Sequence, residues 1–176
     1  MRGTYMLAIA RNTARLAVAA TAVAALTVAV PPAFAAEDPT GTDVDMSVEA
    51  SKETREFAAA NPGEVAAAAN ACGSGYTLTR AIPLPVGTDP RLRLATVFTY
   101  NSQAGGCLIF DNNTGRAQSM TAKVCDGYPG TKCDSDSGTF SEYAGPVYTK
   151  YPVCATVTAK MSNFINYTSQ YAFSCN

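Results

Sequence analysis

From residue 76 onward, apolar side chains recur at every second position in short runs separated by Gly, Pro, Asn and Asp, the pattern of half-buried strands joined by tight turns. Tyr76, Leu78 and Ile82 predict a first strand, stopped by Pro83, Pro85 and Pro90. Residues 92–100 alternate at first and then run apolar through Val97-Phe98-Thr99-Tyr100, which reads as one long, largely buried strand. Residues 101–106 predict a turn, and Cys107-Leu108-Ile109-Phe110 its hairpin partner. After a second turn at 111–115, Gln118, Met120, Ala122 and Val124 alternate with Ser119, Thr121 and Lys123, so the first set faces a core. Further strands are predicted near 139–143, 147–151, 153–160 and 167–173. Such short runs with such frequent turns predict an all-β fold over residues 72–176, a small sandwich or barrel.

The first 71 residues have a different texture. Residues 16–30 form an apolar run too short to span a bilayer, which takes about 20 residues, and Ala33-Phe34-Ala35 follows it. With three arginines and no acid ahead of Glu37, residues 1–36 read as a signal peptide cleaved after Ala35 or Ala36. Residues 37–71 carry eight acids against two bases and read as an acidic linker or pro-like arm, partly helical. Residues 47–60 favour helix, yet Val48 and Phe57 are nearly their only bulky apolar members, too few for a stable isolated helix. At Asn61-Pro62-Gly63-Glu64 an N-cap residue, a first-turn proline and a capping-box glutamate predict a short helix near 62–70, ended by Cys72-Gly73.

Charge excludes some partners. The net charge of -1 leaves residues 72–176 with eight bases and six acids, too little to hold nucleic acid, and no second apolar run offers a membrane anchor after signal cleavage. Export instead directs attention to Cys72, Cys107, Cys125, Cys133, Cys154 and Cys175, an even set that enters an oxidising compartment. Structural zinc, the rival use, lacks both histidine and a closely spaced cysteine pair here. Six cysteines allow fifteen connectivities, and sequence alone does not choose among them. A sequential pairing is the expectation carried forward: Cys72 with Cys107, Cys125 with Cys133, Cys154 with Cys175.

Chemistry is sparse. The absence of histidine removes the commonest general base, and the thiols are assigned to bridges, so no catalytic residue, metal ligand or cofactor is expected. Asp89, Asp111, Asp126, Asp134, Asp136 and Glu142 are the material for a carboxylate-dependent hydrolase, a remote alternative because most sit beside Gly, Pro or Cys in turns. Asp134-Ser135-Asp136-Ser137-Gly138 lacks the later ligands of an EF-hand loop, although a looser calcium cage with Asp126 is conceivable. Tyr143, Tyr148, Tyr151, Tyr167 and Tyr171 crowd the last third, either as half-buried sheet residues or as a flat face for a protein or glycan. Asn112-Asn113-Thr114 and Asn166-Tyr167-Thr168 match glycosylation sequons.

Several segments carry a resemblance beyond composition. Cys72-Gly73-Ser74-Gly75-Tyr76, then Phe98-Thr99-Tyr100-Asn101 followed by Cys107, then Asp136-Ser137-Gly138-Thr139-Phe140 with Tyr143-Ala144-Gly145-Pro146-Val147-Tyr148, and finally Cys154 and Cys175, resemble the spore-associated protein A family of actinobacteria. The resemblance covers about residues 71–176. It implies a small secreted β protein found with spores or aerial growth, with no catalytic residues to carry over. The chain departs from that pattern in adding Cys125 and Cys133 and in its long acidic arm. The expected function is a secreted cell-envelope or spore-surface structural or interaction protein, not an enzyme, whose partner is an unidentified envelope protein or glycan. The alternative is a secreted binding or inhibitor module.

Overall fold

The computed structural model of the protein describes residues 44–175. The signal peptide, its cleavage point and residues 37–43 lie outside the described residues. Eight strands form two antiparallel four-stranded sheets. The first contains β1 (Thr77–Leu84), β2 (Ala95–Ser102), β3 (Gly105–Asn112) and β6 (Tyr143–Thr149), in the order β1-β2-β3-β6. The second contains β4 (Gln118–Cys125), β5 (Cys133–Phe140), β7 (Thr156–Met161) and β8 (Ile165–Ser169), in the order β5-β4-β7-β8. The all-β, disulfide-stapled fold expected from the alternation is therefore present, as a sandwich.

Alternation explains the layering. Val97, Leu108 and Phe110 point inward and meet Met120, Ala122, Val124, Val157 and Ala159 of the second sheet. Their neighbours Phe98, Tyr100 and Ile109 point to the opposite side, where they are equally buried. What covers them is a helical layer, α1 (Lys52–Ala60) and α2 (Pro62–Cys72), which contributes Phe57, Ala58, Val65 and Ala68. The molecule has three layers there. The apolar run at 97–100 is apolar because both of its faces are covered.

The sequence expectation and the structure differ most in residues 44–72. Residues 52–60, too poor in apolar groups for a helix standing alone, are helical because Phe57 is seated on the sheet, with its ring 5.9 Å from that of Phe98. Ser51 caps α1 by accepting the Thr54 N–H at 3.2 Å. Asn61 stands at the N-cap of α2 as expected but makes no side-chain cap bond there; its side-chain amide donates to the Phe57 carbonyl at 2.9 Å and closes α1 instead. Ahead of the helices, Asp45 and Ser47 pair with Leu78 as a short parallel addition to the free edge of β1.

Strand boundaries also move: β1 runs through Pro83 to Leu84, and β6 and β7 occupy Tyr143–Thr149 and Thr156–Met161 rather than 147–151 and 153–160. β5 begins at Cys133 rather than near 139, because Asp134 through Gly138 pair with β4 while remaining mostly exposed, so no apolar alternation announces them. Residues 90–92 form a single 3-10 turn and leave Leu92 exposed, so β2 starts at Ala95. After β8 the chain leaves the sheet, and Ala172 and Phe173 enter the sandwich core from a loop. The Thr99 hydroxyl donates to the Ala172 carbonyl and fixes that loop.

All six cysteines are bonded, with the sequential pairing. Cys72–Cys107 ties the end of α2 to β3, Cys125–Cys133 joins facing residues of β4 and β5, and Cys154–Cys175 anchors the C-terminal loop. Gly106 permits the close approach of that loop to β3, since a Cβ there would meet the Phe173 ring at 2.7 Å.

The helical layer is thus part of the folded unit. Phe57→Ala is expected to destabilise it by about 3 kcal/mol, the usual cost of truncating a buried phenylalanine, read from the urea midpoint. A chain beginning at Cys72 should bare Leu78, Phe98, Tyr100 and Ile109 and bind a hydrophobic dye or aggregate. A monomeric, dye-silent truncation would show that the layer is dispensable.

Candidate functional site

The densest polar cluster lies where the helical layer meets the first sheet. Glu64, in the first turn of α2, sits where a capping-box residue would reach back to its own helix. It turns outward instead and pairs with Arg93, both side chains being largely shielded. Arg93 stacks over the Phe57 ring, its guanidinium carbon 4.9 Å from the centroid, and also donates to Asn61 Oδ1 at 3.1 Å.

The other Glu64 oxygen faces the sheet. Thr96 on β2 is fully buried, and its hydroxyl lies 2.9 Å from Glu64 Oε1 and 2.8 Å from Asn113 Oδ1. The Asn113 amide donates to Glu64 Oε1 at 3.1 Å and to Asp111 Oδ2 at 2.8 Å. Asp111 is the cross-strand partner of Thr96 and hydrogen bonds with Glu64, so two carboxyls meet at one amide. Burial, followed by the adjacent Glu64 charge and the hydrogen bond to it, pushes Asp111 up to about 7, while Asn113 and Arg93 pull the other way. Tyr100 lies beneath, its hydroxyl donating to the Val65 carbonyl at 2.8 Å and held neutral by burial and by the two acids.

Chemically the cluster is a pair of neighbouring carboxyls of which Asp111 is held well above the usual carboxylate range. Sequence reasoning named Asp111 but not Glu64, whose capping-box position pointed to a local role. A hollow of about 740 Å³ runs beside the cluster between α1, the end of β1 and the turn at 90–92, lined by Phe57, Ile82, Val86, Pro90 and Arg93 among others but by neither carboxyl.

The other acids are structural in position. Asp134 Oδ2 accepts the Tyr148 N–H and Asp136 Oδ2 the Gly145 N–H, each at 2.8 Å. Asp126 Oδ1 accepts the Thr149 hydroxyl at 2.6 Å and the Lys150 N–H at 3.1 Å. The Thr149 hydroxyl, then the neighbouring backbone amides, hold Asp126 below the usual carboxylate range. These three carboxylates, the material of the conceivable calcium cage, replace strand partners along the outer edge of β6. Asp89 pairs with Arg91 in its own turn.

The five tyrosines do not share one surface. Tyr143 packs against the helix-side core and Tyr167 against the sandwich core. Tyr148 faces outward beside Tyr76, ring centroids 6.3 Å apart, and reaches the Cys72 carbonyl at 3.4 Å. Tyr151 lies beneath Lys150 after β6, and Tyr171 is exposed in the C-terminal loop. Of the two sequons, Asn112 is buried with its amide bonded to the Arg116 and Phe140 carbonyls, whereas Asn166 is exposed on β8.

The raised Asp111 pKa has a thermodynamic signature. Asp111 titrates near 7 when folded against an ordinary 3.8, so its contribution to stability is complete below pH 4 and is lost as pH rises toward 7. Asp111→Asn keeps a neutral hydrogen-bonding group and removes that loss. The variant-minus-wild-type difference in melting temperature should therefore rise between pH 4.5 and pH 8 by several degrees, on the order of the shift one or two kcal/mol produces. A difference independent of pH would refute the raised Asp111 pKa.

Comparison with known proteins adds one relative. The chain is 36% identical over 92 residues to spore-associated protein A of Streptomyces coelicolor, a match covering 51% of this chain and 55% of that protein. The chain thus spans about half the length of the curated relative it matches. No family model and no solved structure matches it. The resemblance seen in the ordered cysteine and aromatic segments is accordingly supported by a protein of that name, and the chain is similar to spore-associated protein A.

Proposed function

We propose that this is a secreted protein of the cell envelope or spore surface, with a structural or interaction role and no catalytic activity. The observation that carries this reading is the similarity to spore-associated protein A. Three disulfides that leave no free thiol support an extracellular setting, where such bonds persist. The chemistry of the chain agrees. It has no histidine, its thiols are bonded, and the buried acid pair described above joins two layers of the fold and does not line the groove beside α1.

A second reading, a binding or inhibitor module for a protein or glycan, is favoured by the groove beside α1, whose size suits a ligand. Fractionating a producing culture into medium, hyphal wall and spores separates the two. Enrichment in the wall or spore fraction, resistant to a salt wash, is expected for the surface protein. Recovery entirely in the medium, with no cosedimentation of purified protein with spores or walls, would reject it.

A further inference from the structure

The polar cluster holds a hydroxyl, an amide and two carboxyls in an order that suits a reaction among themselves. We propose that Thr96 and Asn113 join in an ester cross-link between β2 and the turn after β3, formed by the protein itself with Glu64 and Asp111 as its base and acid.

The Thr96 hydroxyl lies 2.8 Å from the Asn113 amide oxygen, which places it beside the carbonyl carbon that bears that oxygen. Glu64 Oε1 is 2.9 Å from the same hydroxyl and Oε2 is paired with Arg93, so Oε1, which also accepts the Asn113 amide, is the oxygen placed to take the proton. Asp111 Oδ2 is 2.8 Å from the amide nitrogen that must leave. Backbone register fixes these positions: Thr96 and Asp111 face each other across β2 and β3, and the Asn113 N–H donates to the Leu94 carbonyl at 3.0 Å. Positioning of this kind makes a slow condensation effectively unimolecular.

The step balances within the chain. Glu64 removes the Thr96 hydroxyl proton as Oγ1 bonds to the Asn113 carbonyl carbon, and the carbonyl electron pair moves to Oδ1. That pair returns, the carbon–nitrogen bond breaks, and the departing nitrogen takes a proton from Asp111 and leaves as ammonia. That nitrogen lies 3.1 Å from Glu64 Oε1 as well as 2.8 Å from Asp111 Oδ2, so as it departs it carries the proton held by Glu64 across to Asp111, which restores both groups. One hydroxyl and one primary amide become one ester and one ammonia, without oxidant, metal or cofactor. Full burial of Thr96 protects the ester from water, and loss of ammonia prevents reversal.

Peptide mapping of the full secreted protein, after incubation below pH 7 where Asp111 keeps its proton, tests the idea. The expected result is a linked peptide pair containing Thr96 and Asn113, lighter than the sum of its parts by one ammonia and opened by mild alkali. Thr96→Val should recover that ammonia in the intact mass. Only separate, unlinked peptides in the wild-type map would overturn the proposal, whether or not the variant folds. So would an ammonia loss that persists in folded Thr96→Val, since a cyclised asparagine would then be its source.

Discussion

Strands β2 and β3 have no polar face. Val97, Leu108 and Phe110 require cover on one side, and Phe98, Tyr100 and Ile109 require it on the other. Each fully buried side chain of this size is worth about 1.5–3 kcal/mol relative to exposure, so a sheet open on either side would forfeit several such contributions. The second sheet covers one face and the helical layer the other. Dependence runs in both directions, because helices of 9 and 11 residues are too short to persist without the sheet they cover.

Covering an edge-to-edge sheet with helices also buries polar groups at their junction, and these must be paired. Thr96, Asp111 and Asn113 lie at the end of β2 and β3, where the helix N-terminus brings Glu64 down onto them. Two carboxyls and one guanidinium leave an excess negative charge in a shielded place, which a proton retained by Asp111 neutralises. At the other end of α2 the Cys72–Cys107 bridge fixes the same layer covalently. The layer is therefore held by an electrostatic contact near its N-terminus and a disulfide at its C-terminus, with apolar packing between.

The second sheet meets the first along the consecutive strands β5 and β6, which belong to different sheets. Asp134 and Asp136 from β5, with Asp126 ahead of it, accept N–H groups from the outer edge of β6 and its continuation. An edge whose donors are occupied by carboxylates is a poor template for another chain. The Cys125–Cys133 bridge holds β5 beside β4 and so keeps those carboxylates in register with β6.

Where one face of a strand met water and the other the core, alternation was readable in the sequence, as at Met120, Ala122 and Val124. The even cysteine count and the absence of histidine likewise narrowed the chemistry before any coordinates. β5 escaped because its exposed side chains vary without an apolar period, and α1 because one phenylalanine carries its packing. Only the tertiary structure decided that the helical segment belongs to the core and that the tyrosines scatter over separate surfaces. It alone brought Glu64 to Asp111, 47 positions away in the chain. Local sequence fixes periodicity and caps through neighbours a few residues apart, whereas a carboxyl pair between a helix and a strand depends on how two layers are laid together.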